Sequence, residues 1–586
     1  MDFYDFFYQN IFKCVENLAQ KHGITIDENS AKFVVESPKN ENFGDISTNV
    51  AMALNKVFKL NPLDLANIIV DEIKNYQSLN KYILDISVAK PAFINIKINN
   101  NFWQENLLLA MKLGSDYGRI NLGRNKKINI EYVSANPTGP MHIGHGRGAT
   151  IGDVLASLYK FLGYDVITEY YVNDSGGQII VLGNSLYCRY LEQLNLDSTM
   201  YKGDNFYPGE YLIPLAKQLV KEHNDKFVNK HNNETIEYFS NYAIEKILVM
   251  IKEDLSLINV KQDYFCSERS IATDYNYNEA LDILSKKGLI YMGELEVPKG
   301  KKSADFEVRE QKLFKSTIFG DDSDRALEKS NGVRTYFAND LIYHYDKIKR
   351  GAEKLINIWG ADHIGYISRM KSVVKGLSDE KVELEVVCTQ LVNLLENDIP
   401  LKMSKRAGTF VTLKEVVEAV GVDVFRFMMI TRKNDVSIDF DLKKVKEQSN
   451  DNPVFYIQYA YARICSVLRN AKEVFEDLNT KDFLNANLTK LNTEYEINLV
   501  KNILKLEFSL KGALHNNDPH RLYLYLNEIA KSFHSLWNKG KEDENLRFIM
   551  KENKDLTYAR LALLDTTRLL IANILNILKI NIKETM

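Results

Sequence analysis

Ile128-Asn129-Ile130-Glu131-Tyr132-Val133 reads as a strand and runs into Ser134-Ala135-Asn136-Pro137-Thr138-Gly139-Pro140-Met141, a loop rich in proline and glycine. Beyond it Ile151, Val154, Leu155, Leu158, Phe161 and Leu162 lay an apolar stripe along one helix, which Gly163 stops. Val166-Ile167-Thr168-Glu169-Tyr170-Tyr171-Val172 is a second apolar strand. Strand, loop, helix and strand within about 45 residues make a βαβ unit, and so part of a parallel sheet with a right-handed crossover.

Outward from this unit, the first 110 or so residues form a small α+β body. Leu65, Ile68, Ile69 and Ile73 repeat at helical spacing, and Phe93-Ile94-Asn95-Ile96-Lys97-Ile98 alternates as a half-buried strand does. Later strand-like runs lie at Arg334–Ala338 and Leu355–Trp359. The section 175–330, with helices such as Ile236–Ile258, reads as an insertion decorating the sheet. From about Ser449 the chain is almost wholly helical. Asn452-Pro453 opens a helix with an N-cap and a first-turn proline, and Ile457, Tyr461, Ile464 and Leu468 continue one of its faces. Further helices are expected over Leu491–Leu514, Arg521–Trp537 and Tyr558–Leu578. The expected architecture is therefore multidomain α/β: an N-terminal α+β domain (1–112), a Rossmann-like parallel-sheet domain (113–448) and an all-α domain (449–586).

The chain has 586 residues, enough for about four domains at ~150 residues each. With 45% hydrophobic and 26% charged residues it is ordinary for a globular chain, which excludes wholesale disorder or a fibre. Five scattered cysteines with no C-x-x-C pair exclude a disulfide framework and fit a reducing compartment. A net charge of −3 supplies no overall basic field, so a nucleic acid must be held by local patches. No apolar run reaches the ~18 residues of a bilayer span, and the acidic start Met1-Asp2-Phe3-Tyr4-Asp5 is unlike a signal peptide. A cytoplasmic protein is expected.

Two segments carry chemistry. Pro137-Thr138-Gly139-Pro140-Met141-His142-Ile143-Gly144-His145 joins the first strand to its helix, at the carboxyl edge where parallel sheets bind ligands. The helix N-terminus there offers backbone N–H groups to an anion, Gly144 lets a phosphate approach the backbone, and His142 and His145 are donors to phosphate oxygens. Gly144-His145-Gly146-Arg147-Gly148-Ala149 also begins like a dinucleotide fingerprint, with Glu169 as its acid. Its third glycine arrives one residue early, and two histidines inside the turn argue against it. The second segment, Lys402-Met403-Ser404-Lys405-Arg406-Ala407-Gly408, sets two lysines three apart in a loop able to fold over a triphosphate. The capping box Thr412-x-x-Glu415 starts a helix just beyond it. Alone, that loop reads equally as a solvated basic run.

Together, the H-x-G-H turn and the K-M-S-K loop resemble the double signature of the class I aminoacyl-tRNA synthetases. The surrounding runs Ser134–Pro140, Tyr170–Asp174, Tyr336–Asp340, Trp359–His363, Asn452–Ala460 and Asn42–Asp45 resemble its arginyl branch over essentially the whole chain. One departure is Arg406, where the class pattern has serine.

The resemblance implies an ATP-dependent arginine–tRNA ligase, with His142, His145, Lys402 and Lys405 catalytic. Pro137, Thr138, Gly139, Gly144, Met403 and Ser404 join them in binding ATP, which arrives with Mg²⁺. Arginine would be held by Glu131, Ser134, Asn136, Tyr336, Asp340, Asp362 and His363. A guanidinium is planar, always charged and rich in donors, so it calls for carboxylates and aromatic surface. Residue by residue, structural roles stand beside these: Asp340 as an N-cap ahead of Leu341, Tyr345 and Ile348, Glu131 as a surface strand position, Tyr336 as core, and Asp362 with His363 as hydrogen-bonding residues. The 260 residues from His142 to Lys402 are too few for the large editing insertion of the isoleucyl, valyl and leucyl enzymes. The cysteine-based zinc sites of the cysteinyl and methionyl ones have no counterpart here, so no zinc is expected.

The helical tail resembles the family's anticodon-binding domain, with Tyr456, Tyr459, Arg463 and Arg521 as candidate contacts to tRNA(Arg) and a packing role for most of its aromatics. The N-terminal domain resembles its appended tRNA-contacting module. Lys299, Lys301, Lys302, Lys443, Lys444 and Lys446 are candidate backbone contacts. A monomer is expected. A nucleotidyltransferase sharing the histidine turn, or an inactive paralogue, is the competing reading. The first lacks the helical tail, and the second conflicts with two intact motifs.

Overall fold

A computed structural model of the chain describes residues 2–27, 32–203, 206–295, 310–401, 411–447 and 452–586. Its centre is a five-stranded, wholly parallel sheet of β1 (Lys127–Glu131), β2 (Asp165–Val172), β3 (Tyr264–Ser267), β4 (Lys354–Gly360) and β5 (Glu383–Thr389). The strand order is β5-β4-β1-β2-β3. Parallel strands need crossovers, and the order reverses between β1 and β4. Their carboxyl ends therefore diverge into the crevice where such sheets bind ligands.

The βαβ unit stands as expected, with helix α1 (Ile143–Phe161) crossing from β1 to β2. Elsewhere the structure departs from the expectation. The run Arg334–Ala338 is not a strand: Thr335 caps helix α2 (Tyr336–Lys349) by accepting from the Ala338 amide. Asp340 is consequently an interior helical residue and not an N-cap. Section 175–330 is more than a decoration, because it contributes β3 to the central sheet. Ahead of β3 it holds the helices Gly177–Gln193, Leu212–His223 and Asn233–Leu257. After β3 it forms an antiparallel sheet of Ile290–Gly293, Gln311–Phe314 and Arg325–Glu328. The expected helix Leu491–Leu514 is two, Glu494–Leu504 and Leu506–His515, separated at Lys505.

The N-terminal body is a four-stranded antiparallel sheet packed with helices, including Phe3–Lys21, Pro62–Asn75 and Asn100–Leu113. It shares one core with the C-terminal helices. Phe7, Trp103 and Leu107 belong to the same buried cluster as Leu499, Ile503 and Leu570. Gln104 donates to the Leu491 carbonyl at 2.8 Å, and Lys511 pairs with Asp5. The expected domain border at 112/113 falls in the last turn of Asn100–Leu113, and the one at 448/449 lies outside the described residues.

A buried ionic hub ties the pieces together. Arg426, on the helix Val422–Met429, donates to Asp153 of α1 (2.8 Å), to the Leu578 carbonyl (2.9 Å) and to the Ile258 carbonyl (2.6 Å). The other oxygen of Asp153 accepts from Lys579 at 2.5 Å. Among the described residues no helix is long and apolar enough to cross a membrane, and the five cysteines are free.

Candidate functional site

The site begins where β1 ends. Val133 and Ser134 both take left-handed backbone (φ 73° and 40°), which is costly for a β-branched valine and turns the chain abruptly out of the sheet. The Ser134 hydroxyl donates to Glu131 Oε1 at 2.9 Å and accepts from the Tyr171 amide at 3.1 Å. The loop then tightens, with the Thr138 amide on the Asn136 carbonyl at 2.7 Å, and reaches His142, the N-cap of α1.

In the first turn of α1 the two imidazoles stack, with ring centroids 3.7 Å apart. His145 Nδ1 accepts from the His142 amide at 3.3 Å, so the neutral ring carries its proton on Nε2, the donor form a phosphate oxygen requires. A Cβ on Gly144 would stand 3.1 Å from the His142 ring, so glycine leaves that imidazole its place. A Cβ on Gly146 would strike Phe425 and Leu413, so glycine there lets α1 close on the helices beyond the second motif.

Lys402, Met403, Ser404 and Lys405 lie outside the described residues. Their downstream flank does not. Thr412 forms an antiparallel bridge with His142, the Leu413 amide donates to the Met141 carbonyl at 2.8 Å, and the capping box of Thr412 and Glu415 is formed. Two segments far apart in sequence thus meet at the histidine turn. Buried Arg147 secures the same corner by donating to the carbonyls of Gln390 (2.8 Å) and Lys433 (2.9 Å). Burial lowers its pKa to about 10.

Across the crevice, Asp340 projects from α2. Burial, followed by the nearby charges of Glu268 and Glu131, pushes its carboxyl up to about 7, against the pull of Arg369. Glu268 directly follows β3, is buried, and is oriented by the Asn339 amide at 2.8 Å. Tyr336 lies one helical turn before Asp340, on the same face, and is 78% exposed, so it is not core. Glu131 is buried and already engaged. Its Oε2 accepts from Lys347 at 2.6 Å, and Lys347 also donates to Asn357. The chain continues to His344, which bonds Asn357 and the Asp340 carbonyl, and burial drives the His344 pKa down to about 3. Glu131 therefore braces the floor of the crevice and does not face solvent. Asn136 is exposed and donates to Gln178 at 3.0 Å. Asp362 and His363 are exposed on the turn after β4 and pair with each other at 3.4 Å. Glu169, the acid of the dinucleotide alternative, is fully buried against Arg350 (2.8 Å) and so is closed to a ribose.

Sequence reasoning missed Glu268 because it missed β3. A residue at the carboxyl end of a parallel strand is conspicuous only once the strand is seen.

Three family models match the chain: an arginyl-tRNA synthetase N-terminal domain over residues 8–98, a class I (R) tRNA synthetase catalytic domain over 107–464, and a DALR anticodon-binding domain over 457–586. The chain belongs to the arginyl-tRNA synthetase family. An arginine–tRNA ligase of Parvibaculum lavamentivorans is 44% identical over the full length of both chains. A crystal structure from Campylobacter jejuni, described as that of an arginyl-tRNA synthetase, is 33% identical with a TM-score of 0.70, covering 83% of this chain and all of that one. The Thermus thermophilus arginyl-tRNA synthetase structure, at 18% identity and the same TM-score, shares the fold over 98% of this chain and 99% of its own.

In this arginyl-tRNA synthetase family member, the tail residues named from sequence divide into two groups. Tyr456, Tyr459 and Arg463 gather on the helix Pro453–Val474. The Arg463 guanidinium lies 4.0 Å over the Tyr459 ring and 4.9 Å over Trp537, and Tyr456 packs on His534 at 4.6 Å. Arg521 stands apart, exposed beside Gly512, while Tyr461 is core. Lys444 is paired with Asp398 at 2.6 Å, and Lys299, Lys301 and Lys302 lie outside the described residues.

Proposed function

We propose that the protein joins L-arginine to tRNA(Arg) at the expense of ATP. The observation that carries this reading is the bridge between Thr412 and His142, which brings the flank of the two-lysine loop onto the histidine turn at the switch point of the sheet.

In the first step the arginine carboxylate attacks the α-phosphorus of ATP, giving arginyl-adenylate and pyrophosphate. The carboxylate is already a nucleophile, so no activating base is required. The protein aligns the two substrates and stabilises the charge that builds on the phosphates. His142 and His145 supply donors from one side, together with the amides of the first turn of α1. Lys402 and Lys405 supply ammonium groups from the other, and Pro137, Thr138, Gly139, Gly144, Met403 and Ser404 shape the cradle. ATP enters as its Mg²⁺ complex. In the second step the terminal ribose hydroxyl of the tRNA attacks the adenylate carbonyl and AMP leaves.

Asp340 and Glu268 take the guanidinium, under the ring of Tyr336. Lys347 neutralises Glu131, whose role becomes the placing of Ser134. Ser134, Asn136, Asp362 and His363 meet the remainder of arginine and the ribose. Residues 1–112 and 449–586 clasp the tRNA, the latter through Tyr456, Tyr459, Arg463 and Arg521. The protein works as a cytoplasmic monomer.

The test is pyrophosphate release from ATP with each amino acid in turn, with and without tRNA. Activity with arginine alone is expected, and charging with another amino acid overturns the assignment. Lys405→Ala should depress activation with the fold intact.

A further inference from the structure

The segment from Asn136 to Met141 has no regular structure of its own, yet it carries half of the nucleotide cradle. Its backbone is fixed from outside, and mostly by section 175–260. The Tyr211 hydroxyl donates to the Thr138 carbonyl at 2.5 Å. The Tyr211 ring lies so close that a Cβ on Gly139 would stand 3.1–3.3 Å from three of its atoms. Asp254 Oδ2, buried, accepts from the Met141 amide at 3.3 Å, one residue before the N-cap of α1. Gln178 accepts from the Asn136 side chain. Tyr211 is itself held, because Arg189 donates to the Pro208 carbonyl at 2.5 Å and Gly209 leaves room for the ring.

We propose that Tyr211 and Asp254, from the helical section between β2 and β3, are positioning residues that hold the Thr138–Met141 turn in its ATP-binding shape. The inference rests on the functional reading above, since it takes this turn as the ATP cradle. A turn with several accessible conformations binds its ligand more weakly in proportion to the fraction that is competent, so loosening it raises KM for ATP selectively. The guanidinium pocket, built on α2 and on Glu268 after β3, is not attached to Tyr211 or Asp254, and of the residues assigned to arginine only Asn136 lies in this segment, held by Gln178 instead.

The experiment is ATP–pyrophosphate exchange by the full chain with arginine and tRNA present, recording KM for ATP, KM for arginine and kcat, alongside thermal unfolding. Tyr211→Phe, which keeps the ring and removes one hydrogen bond, should raise KM for ATP about fivefold. Tyr211→Ala and Asp254→Ala should raise it about tenfold or more, with KM for arginine within twofold of the parent, and Asp254→Asn should restore part of the loss. A KM for ATP within twofold of the parent in Tyr211→Ala and Asp254→Ala overturns the proposal, as does an equal rise in both KM values or a lowered unfolding temperature alone. If Tyr211→Ala does not fold, Tyr211→Phe decides by the same criterion. His145→Asn, measured in parallel, separates the two ideas. If it lowers activation while the Tyr211 variants do not, only the positioning role fails; if it too is without effect, the functional reading fails.

Discussion

The guanidinium role proposed for Asp340 makes arginine recognition dependent on pH in a calculable way. Its carboxyl is held at about 7 by burial and by Glu268 and Glu131, while a guanidinium requires it ionised. With that pKa, about nine-tenths of the free protein is competent at pH 8 and about one-tenth at pH 6, so KM for arginine should rise about tenfold across that interval. Bound arginine stabilises the ionised form, so kcat should move little. Stability runs the opposite way with pH. A carboxyl whose pKa is raised on folding favours the fold at low pH, and this contribution is lost as pH climbs from about 4 through about 7. Arginine, by pairing with the ionised form, should restore stability above pH 7. Asp340→Asn removes the charge and should cost about 2–5 kcal/mol of binding, thirtyfold or more in KM, while flattening the pH profile. The assay is pyrophosphate exchange at saturating ATP and tRNA with arginine varied from pH 6 to 8. A KM for arginine constant within twofold over that range, or an Asp340→Asn variant that binds arginine like the parent, would refute the reasoning.

Other consequences follow from the same geometry. Lys347→Met strands Glu131 as a buried charge and should destabilise the central domain by about 3–5 kcal/mol, read from its denaturant transition; adding Glu131→Gln should recover part of that. Arg426→Met removes one of the two cations on Asp153 and leaves the C-terminal helix less firmly joined to the central domain, with a loss of similar size and earlier protease cleavage near Leu578. Glu268→Gln should raise KM for arginine by at least tenfold and leave KM for ATP within twofold, measured in the exchange assay; equal effects on both would count against a guanidinium role.

Much of this was legible in the sequence, for physical reasons. The βαβ unit announces itself through apolar period and the glycine stop. The capping box at Thr412 and the proline-led helix at Asn452 are formed by residues only a few positions apart. What escaped was non-local. β3 is four residues long and sits at a sheet edge, too short for its alternation to stand out, and Glu268 escaped with it. Arg334–Ala338 looked extended because its β-branched and aromatic residues carry strand propensity, but the Thr335 cap and the core beneath α2 outweigh that preference. Glu131 could not be assigned from its neighbours, because its partner Lys347 is 216 positions away.

The shared core of the two ends of the chain bears on how the protein is made. The N-terminal body is complete at the ribosome once about 112 residues have emerged, but the helices Glu494–Leu504 and Lys554–Ile577 that pack against Asn100–Leu113 come from beyond residue 490. At about 5–20 residues per second it waits roughly 20–80 s with that surface bare. Ribosome-bound chains halted near residue 450 should therefore be cut by protease around Asn100–Leu113, and released full-length chains should not. The opening fifth of the polypeptide is among the first parts synthesised and among the last to be sealed from water.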